Sequence, residues 1–275
     1  MARSSSATAI NWQAQSEVGP TAADVLSKVP RVTLVFWLVK ILATTLGETG
    51  GDALSMSLNL GYAVSTMIFL AFFVVTLIAQ VRSTHYHPLF YWAVVVATTT
   101  VGTTTSDYFD RTLGLGYVKS SAMLLLLVLL VLFIWRRTTG HIVVDRVVDR
   151  RDETFYWLTI LVSNTLGTAL GDFVATDVGL GFEKGALVFA ALIAAVAILH
   201  RATRISTSIL FWAAYVLTRP LGATLGDLIT KPTTQGGLNL SRITSSLVIA
   251  VVIVVLVLVT PLRHREANAR HAAHP

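Results

Sequence analysis

Long apolar runs alternate along this chain with short polar connections. Residues 60–81, 120–135, 185–199 and 247–260 are nearly free of charge, and apolar segments interrupted by Gly, Thr and Ser lie between them. With their flanks the runs resolve into eight spans, 33–51, 61–80, 88–106, 116–135, 153–171, 182–200, 208–226 and 242–261. About twenty residues in a helix cross a hydrocarbon layer of ~30 Å. Only helices or closed barrels satisfy every backbone polar group in lipid, and these segments are too long for barrel strands. The pattern therefore predicts an all-α polytopic membrane protein with eight transmembrane helices.

The spans repeat. Trp37, Trp92, Trp157 and Trp212 each stand ten residues before a glycine (Gly47, Gly102, Gly167, Gly222), and each glycine stands five residues before an aspartate (Asp52, Asp107, Asp172, Asp227). Nine residues after the first three aspartates come Gly61, Gly116 and Gly181, each followed by an aromatic residue, whereas the fourth unit departs with the longer connection TKPTTQGGLNLSR. The intervals of 55, 65 and 55 residues between the tryptophans point to an older two-unit block that duplicated. Fixed spacing in four copies is the signature of internal repeats. The expectation is four parallel two-helix repeats, about 33–81, 88–137, 153–202 and 208–261, in one eight-helix transmembrane domain over 31–262. A polar arm (1–30) and a basic tail (263–275) flank it, both expected in the cytoplasm.

Charge supplies that orientation. Lys28 and Arg31 precede the first unit; Arg82, Arg136, Arg137, Arg146, Arg150, Arg151, Arg201 and Arg204 fall between units; Arg263 and Arg265 follow the last. The connections within units are poorer in Lys and Arg. The positive-inside bias then puts both termini and the between-unit loops on the cytoplasmic face of a bacterial inner membrane. An even number of spans per unit gives every repeat the same orientation, unlike the inverted repeats of many transporters. Composition agrees: 54% of residues are hydrophobic, 13% are charged, and mean hydropathy is +0.68, against about 25% charged in soluble domains. The pI of about 9.8 is accounted for by this topology and by anionic lipid headgroups, with no need for nucleic acid. The absence of cysteine excludes disulfides, thiolate metal sites and thiol nucleophiles.

Positions three or four apart share a helix face. That face carries Thr44, Gly47, Glu48, Gly51 and Asp52 in unit one, and Thr99, Gly102, Thr103, Ser106 and Asp107 in unit two. Unit three has Asn164, Gly167, Thr168, Gly171 and Asp172, and unit four Arg219, Gly222, Ala223, Gly226 and Asp227. The small residues read as devices for close helix approach. Packing alone needs no carboxylate, and a carboxylate at this depth faces protein interior or a watery path; a helix cap or a solvated residue at the outer end is the plainer alternative. Four Asp about one axis, with Glu48, make a hard-oxygen set for small cations, and carboxylate rings are one way to build a cation path. Thr44, Thr99, Thr103, Asn164 and Thr168 would line it, with Lys40 and Arg219 as internal counter-ions or gates, or else as parts of structural ion pairs.

On its four Trp–Gly–Asp units (Trp37, Gly47, Asp52; Trp92, Gly102, Asp107; Trp157, Gly167, Asp172; Trp212, Gly222, Asp227) the chain resembles a bacterial family of multi-span proteins described only as uncharacterised membrane or membrane-anchored proteins. The resemblance covers about 31–262 and implies membrane location and repeat architecture, without chemistry.

The expected function is membrane transport of a small cation, with a divalent metal such as Mn or Mg and proton coupling both open. A cation channel and a non-transporting structural or assembly protein are the alternatives. Catalysis is not expected, because His85 and His87 have no repeated partner and no hydrolase or nucleotide signature is present. No cofactor is implied. Expected partners are the cation and anionic lipids at the cytoplasmic face, and a homo-oligomer stays open. His264, His271 and His274 in the basic tail fit lipid or membrane-surface anchoring better than metal binding.

Overall fold

Thr33 starts the first helix, its side chain accepting the Phe36 N–H at 3.2 Å, and Pro88 occupies the first turn of the third, where its missing N–H is no loss. The computed structural model describes residues 30, 32–83, 86–142 and 150–273; the polar arm over 1–29, His85 and His274 lie outside the described residues. The long helices are α1 (Leu34–Asp52), α2 (Gly61–Arg82), α3 (Pro88–Asp107), α4 (Tyr117–Thr139), α5 (Arg150–Asp172), α6 (Gly181–Ala202), α7 (Thr207–Thr230) and α8 (Arg242–Ala273). In the first three repeats the odd helix runs past its Asp into one turn of π-helix, Ala53–Ser57, Tyr108–Thr112 and Phe173–Asp177. The chain then reverses through a residue in the left-handed region: Asn59, Gly114 and Gly179, with Asn239 doing the same in the fourth repeat. Only Gly and Asn take that conformation readily. The fourth connection thus rejoins the pattern after its longer excursion.

The odd helices form an inner ring, α1 against α3, α3 against α5, α5 against α7, and α7 against α1. An aromatic cycle closes one end of it. The residue before each repeated Trp meets the Trp of the next repeat: Phe36 with Trp92 at 5.6 Å, Tyr91 with Trp157 at 5.6 Å, Tyr156 with Trp212 at 5.8 Å, and Phe211 with Trp37 at 5.6 Å between ring centroids. Four identical links around a circle account for the invariant spacing of Trp in the four units, since the contact is between units.

The even helices pack outside the ring, α2 on α3, α4 on α5, α6 on α7 and α8 on α1. The two helices of one sequence repeat are therefore not packing partners; each even helix covers the odd helix of the following repeat. This corrects the expected pairing into four two-helix units. The number of transmembrane helices is corrected as well. Six helices among the described residues, α2 and α4 to α8, are long and apolar enough to cross a membrane, and α1 and α3 are not. Hydropathy averages over the whole circumference of a helix, and α1 and α3 spend theirs on Lys40, Glu48, Asp52 and a run of Thr that face the ring. Burial separates the two layers: 72% of the most apolar stretch of α5 and of α7 is buried, against 17% for α2 and α8. The exposed Leu, Val, Ile and Phe of the outer helices suit lipid, so the protein is a multi-pass membrane protein.

Candidate functional site

Around the ring, the small ridge of each odd helix receives the polar ridge of the next, the geometry in which i±4 rows interdigitate. A methyl group added at Gly47 would overlap Thr99, at Gly167 Arg219, and at Gly222 Thr44, while at Gly102 it would stand 3.0 Å from the Asn164 carbonyl carbon. One turn further on, Gly51 faces Thr103, Gly171 faces Ala223 and Gly226 faces Glu48. Contacts advance in step along both partners, so the four odd helices run parallel. The glycines let backbones approach, and the approach buries Thr44, Glu48, Thr99, Thr103, Asn164, Thr168 and Arg219 at the centre of the ring.

Arg219 crosses that centre from α7. Its guanidinium donates to the Thr44 carbonyl at 3.2 Å, the Thr99 carbonyl at 3.4 Å, Glu48 Oε2 at 3.1 Å, Thr168 Oγ1 at 2.6 Å and Thr103 Oγ1. It thus ties α7 to α1, α3 and α5. Glu48, Thr103 and Thr168 are equivalent positions of three repeats, and the fourth equivalent, Ala223, adds no polar group to the set. Lys40 lies on the same face of α1, toward the aromatic end. It does not pair with Glu48 or with any other carboxylate among the described residues; its Nζ donates to Asn164 Oδ1 at 3.4 Å and sits 4.1 Å from the Tyr215 ring centroid. Asn164 in turn donates to Thr98 Oγ1 at 3.0 Å.

At the opposite end of the ring from the aromatics, all four repeated aspartates are buried. Lys231 bridges two neighbours, with Nζ 2.8 Å from Asp52 Oδ2 and 3.1 Å from Asp227 Oδ1. Arg111 bridges the other two, 3.3 Å from Asp107 Oδ1 and 3.4 Å from Asp172 Oδ2. Arg242 adds a 3.5 Å contact to Asp52. Burial opposes the charge on Lys231, but Asp227 and Asp52 outweigh it and hold the ammonium well above the ordinary lysine value. Where this layer meets Glu48, carboxylate oxygens of Glu48, Asp52 and Asp107 lie within 4.8 Å of one another. Asp52 Oδ1 and both oxygens of Asp107 accept no hydrogen bond from the described residues. Three converging hard oxygen donors suit a small cation: opposite ligands stand about 4.2 Å apart around a magnesium-sized ion and about 4.8 Å around a calcium-sized one.

Of the sequence-predicted ligands, Glu48, Asp52 and Asp107 come together, while Asp172 and Asp227 stand across the ring in the grip of Arg111 and Lys231. The predicted lining residues Thr44, Thr99, Thr103, Asn164 and Thr168 are all in the interior, and Arg219 occupies the place they line. His87 stacks on Phe90 at 4.4 Å, away from the ring. Sequence reasoning missed Arg111 and Lys231. Their signal was present: both stand four residues after their Asp, in units two and four, where units one and three have Met56 and Thr176. This alternation matches the two-unit duplication inferred from the Trp intervals.

Comparison with known families matches the repeat described as Repeat of Unknown Function (DUF347) at residues 35–86, 90–141, 155–206 and 210–265. These four matches cover most of the chain, which belongs to that family. No curated protein and no solved structure matches.

Proposed function

We propose that the chain moves a small cation across the membrane through the centre of the inner ring, with Glu48, Asp52 and Asp107 as its binding site. The observation that carries this reading is the meeting of three buried carboxylates from two repeats, in a membrane protein where buried carboxylates are costly to retain without a use. In the state seen here Arg219 closes the path beyond the site, and movement of that side chain is the gating step. The Arg- and Lys-rich connections between repeats favour an orientation with the aromatic end toward the cytoplasm of a bacterial inner membrane and the aspartates at the outer side. Three of the basic residues at the aspartate end, Arg111, Lys231 and Arg242, are neutralised by Asp, so they weaken that bias little. Hard-oxygen ligands favour Mg²⁺, Mn²⁺ or Ca²⁺, and proton exchange at the carboxylates is the natural coupling.

A non-transporting membrane scaffold is the second reading, favoured by the pairing of every ring aspartate with a cationic side chain. Flux in proteoliposomes separates the two. Across a panel of Na⁺, K⁺, H⁺, Mg²⁺, Mn²⁺ and Ca²⁺, at least one ion is expected to move. Glu48→Gln, Asp52→Asn and Asp107→Asn should each cut that flux about tenfold or more, and the variant with all four Asp replaced by Asn should abolish it. An unchanged flux in that last variant, or no flux at all from the native chain, removes the transport reading.

A further inference from the structure

Lys40 is the interior cation that the proposed path does not use. It shares a layer with Val95, Ile160 and Tyr215, the equivalent positions of the other repeats, and all four are fully buried. From α1 its side chain reaches the diagonal helix α5, where Nζ donates to Asn164 Oδ1 at 3.4 Å, and it lies 4.1 Å from the Tyr215 ring centroid on α7. That crossing puts the amine on the axis of the ring. The other charges near the axis are matched: Arg219 with Glu48, Lys231 with Asp52 and Asp227, and Arg111 with Asp107 and Asp172. Lys40 has no carboxylate among the described residues, only an amide oxygen and a ring face. One turn further along α1 stands a charge of its own sign, the Arg219 guanidinium, which donates to the Thr44 carbonyl at 3.2 Å. The other ionisable groups of this half of the ring are Tyr86 and Tyr91 before and on α3, Tyr156 on α5 and Tyr215 on α7, with Glu48 two turns away on α1; α8 carries none over 243–260. The Tyr91 and Tyr156 hydroxyls share a hydrogen bond of 2.7 Å, and the buried Tyr215 hydroxyl has no hydrogen-bond partner among the described residues. Helical side chains lean toward the N-terminus, so these hydroxyls lead from the Lys40 layer toward the aromatic end.

We propose that Lys40 is a proton-binding site of the ring, separate from the carboxylates, and that its charge gates the axis. An unmatched ammonium at this depth is costly, and a proton is a ligand whose coming and going needs no room. Both states fit the same surroundings: amine and ammonium alike donate to the Asn164 amide, and the ammonium gains the face of Tyr215. On release the electron pair stays on nitrogen and the proton leaves by way of the tyrosine hydroxyls. The gating half of the proposal rests on the reading that a cation enters at Glu48. Lys40 and Glu48 are eight residues apart, a rise of about 12 Å. Over that distance one unit charge changes the proton affinity of the amine about tenfold at an effective dielectric of about 20. Cation binding therefore expels the Lys40 proton, and the proton weakens cation binding by the same factor. Ion and proton exchange in opposite directions, and the positive charge on the axis is removed when the ion has to pass it.

The first test needs no ion. Lysine labelled with carbon-13 beside its amine reports its charge in the NMR spectrum of the full chain in nanodiscs, and the signal missing from Lys40→Met identifies Lys40. That signal is expected to move between its charged and uncharged positions as pH rises from about 6 to 9, whereas Lys231, held charged by its aspartates, keeps one position. The second test uses proteoliposomes enclosing a pH-sensitive dye, with gradients of Mn²⁺ and Na⁺ as probes. The ion that the native chain moves should drive protons the opposite way, with ion flux falling as pH drops. Lys40→Met should abolish the proton counter-flow and raise ion flux at low pH about tenfold. Lys40→Arg, which holds its proton throughout, should keep flux about tenfold or more below native at every pH. A Lys40 signal that does not move with pH, or proton counter-flow that persists in a folded Lys40→Met chain, overturns the proposal. Lys40→Gln replaces the methionine variant if that one does not fold, and failure of both overturns the proposal too, the lysine being then a structural strut. A native chain that moves an ion without protons sinks this inference and leaves the cation path standing; a chain that moves no cation sinks the path and the gate with it.

Discussion

Arg219→Ala is expected to lower the stability of the folded bundle by about 3–5 kcal/mol, the loss found when one partner of a buried ion pair is deleted. The side chain is fully buried and reaches from α7 to all three other inner helices. Its removal leaves Glu48 without its guanidinium partner and takes the donor away from Thr103 and Thr168. Glu48→Ala should cost a similar amount, because it strands the guanidinium instead. The double variant should lose clearly less than the sum, because the uncompensated charge disappears with both partners gone. Arg219→Lys is not a rescue, because a single ammonium cannot reach Glu48, Thr103 and Thr168 as the planar fork does. Reversible denaturant unfolding in mixed micelles measures all four. Additive losses for Arg219→Ala and Glu48→Ala would show that the two side chains do not act as a buried pair.

Gly222→Ala is the second large effect. Its new methyl group would overlap Thr44 and stand 2.8 Å from the Thr44 backbone carbon, a contact that no side-chain rotation relieves. Opening the α7–α1 interface should cost about 3 kcal/mol, the upper end of overpacking losses. Because this interface closes the ring, ion flux should fall with it. Gly50→Ala is the matched control on α1. There the nearest neighbour of an added methyl is Thr100 Cγ2 at 3.8 Å, ordinary contact, and helix propensity favours Ala by up to about 1 kcal/mol. Gly50→Ala is therefore expected to be neutral or mildly stabilising in the same unfolding measurement. Equal losses at both positions would mean that the glycines act through backbone flexibility and not through close approach.

The helices and their fourfold recurrence were legible because spacing and apolar length are properties of the linear chain. Which helix packs on which was not. Hydrophobic pattern tells a residue to leave water or polar surroundings without naming the neighbour that covers it, so α2 reads as the partner of α1 although it packs on α3. The shared face of the repeated motif lies in the interior, where Glu48, Thr103, Thr168 and Arg219 meet. Their roles follow from a complementarity between units, the Arg219 guanidinium of one repeat meeting Glu48, Thr103 and Thr168 of the other three, which no single repeat displays. Lys40 seemed in need of a carboxylate, yet its partners are the Asn164 amide and the face of Tyr215, one from each of two other repeats. Arg111 and Lys231 escaped notice because the motif was read as ending at its Asp, whereas the chain turns there and folds the next basic residue back over the carboxylates.

The packing of α8 on α1, the last helix on the first, makes the bundle a closed circle that the covalent chain interrupts at one arbitrary point. Synthesis proceeds from the N-terminus, so α1 enters the membrane carrying Lys40, Glu48 and Asp52 long before α7 delivers Arg219 and the residue that follows it delivers Lys231. Until then two acidic groups of α1 have none of the cations that neutralise them in the finished protein, and its outer flank lacks α8. Biogenesis must therefore shelter the first helix, at the insertion machinery or against α3, until α7 and α8 have been made. Opening the circle instead between α2 and α3, with the old ends joined, would leave every interface intact while changing which helix has to wait.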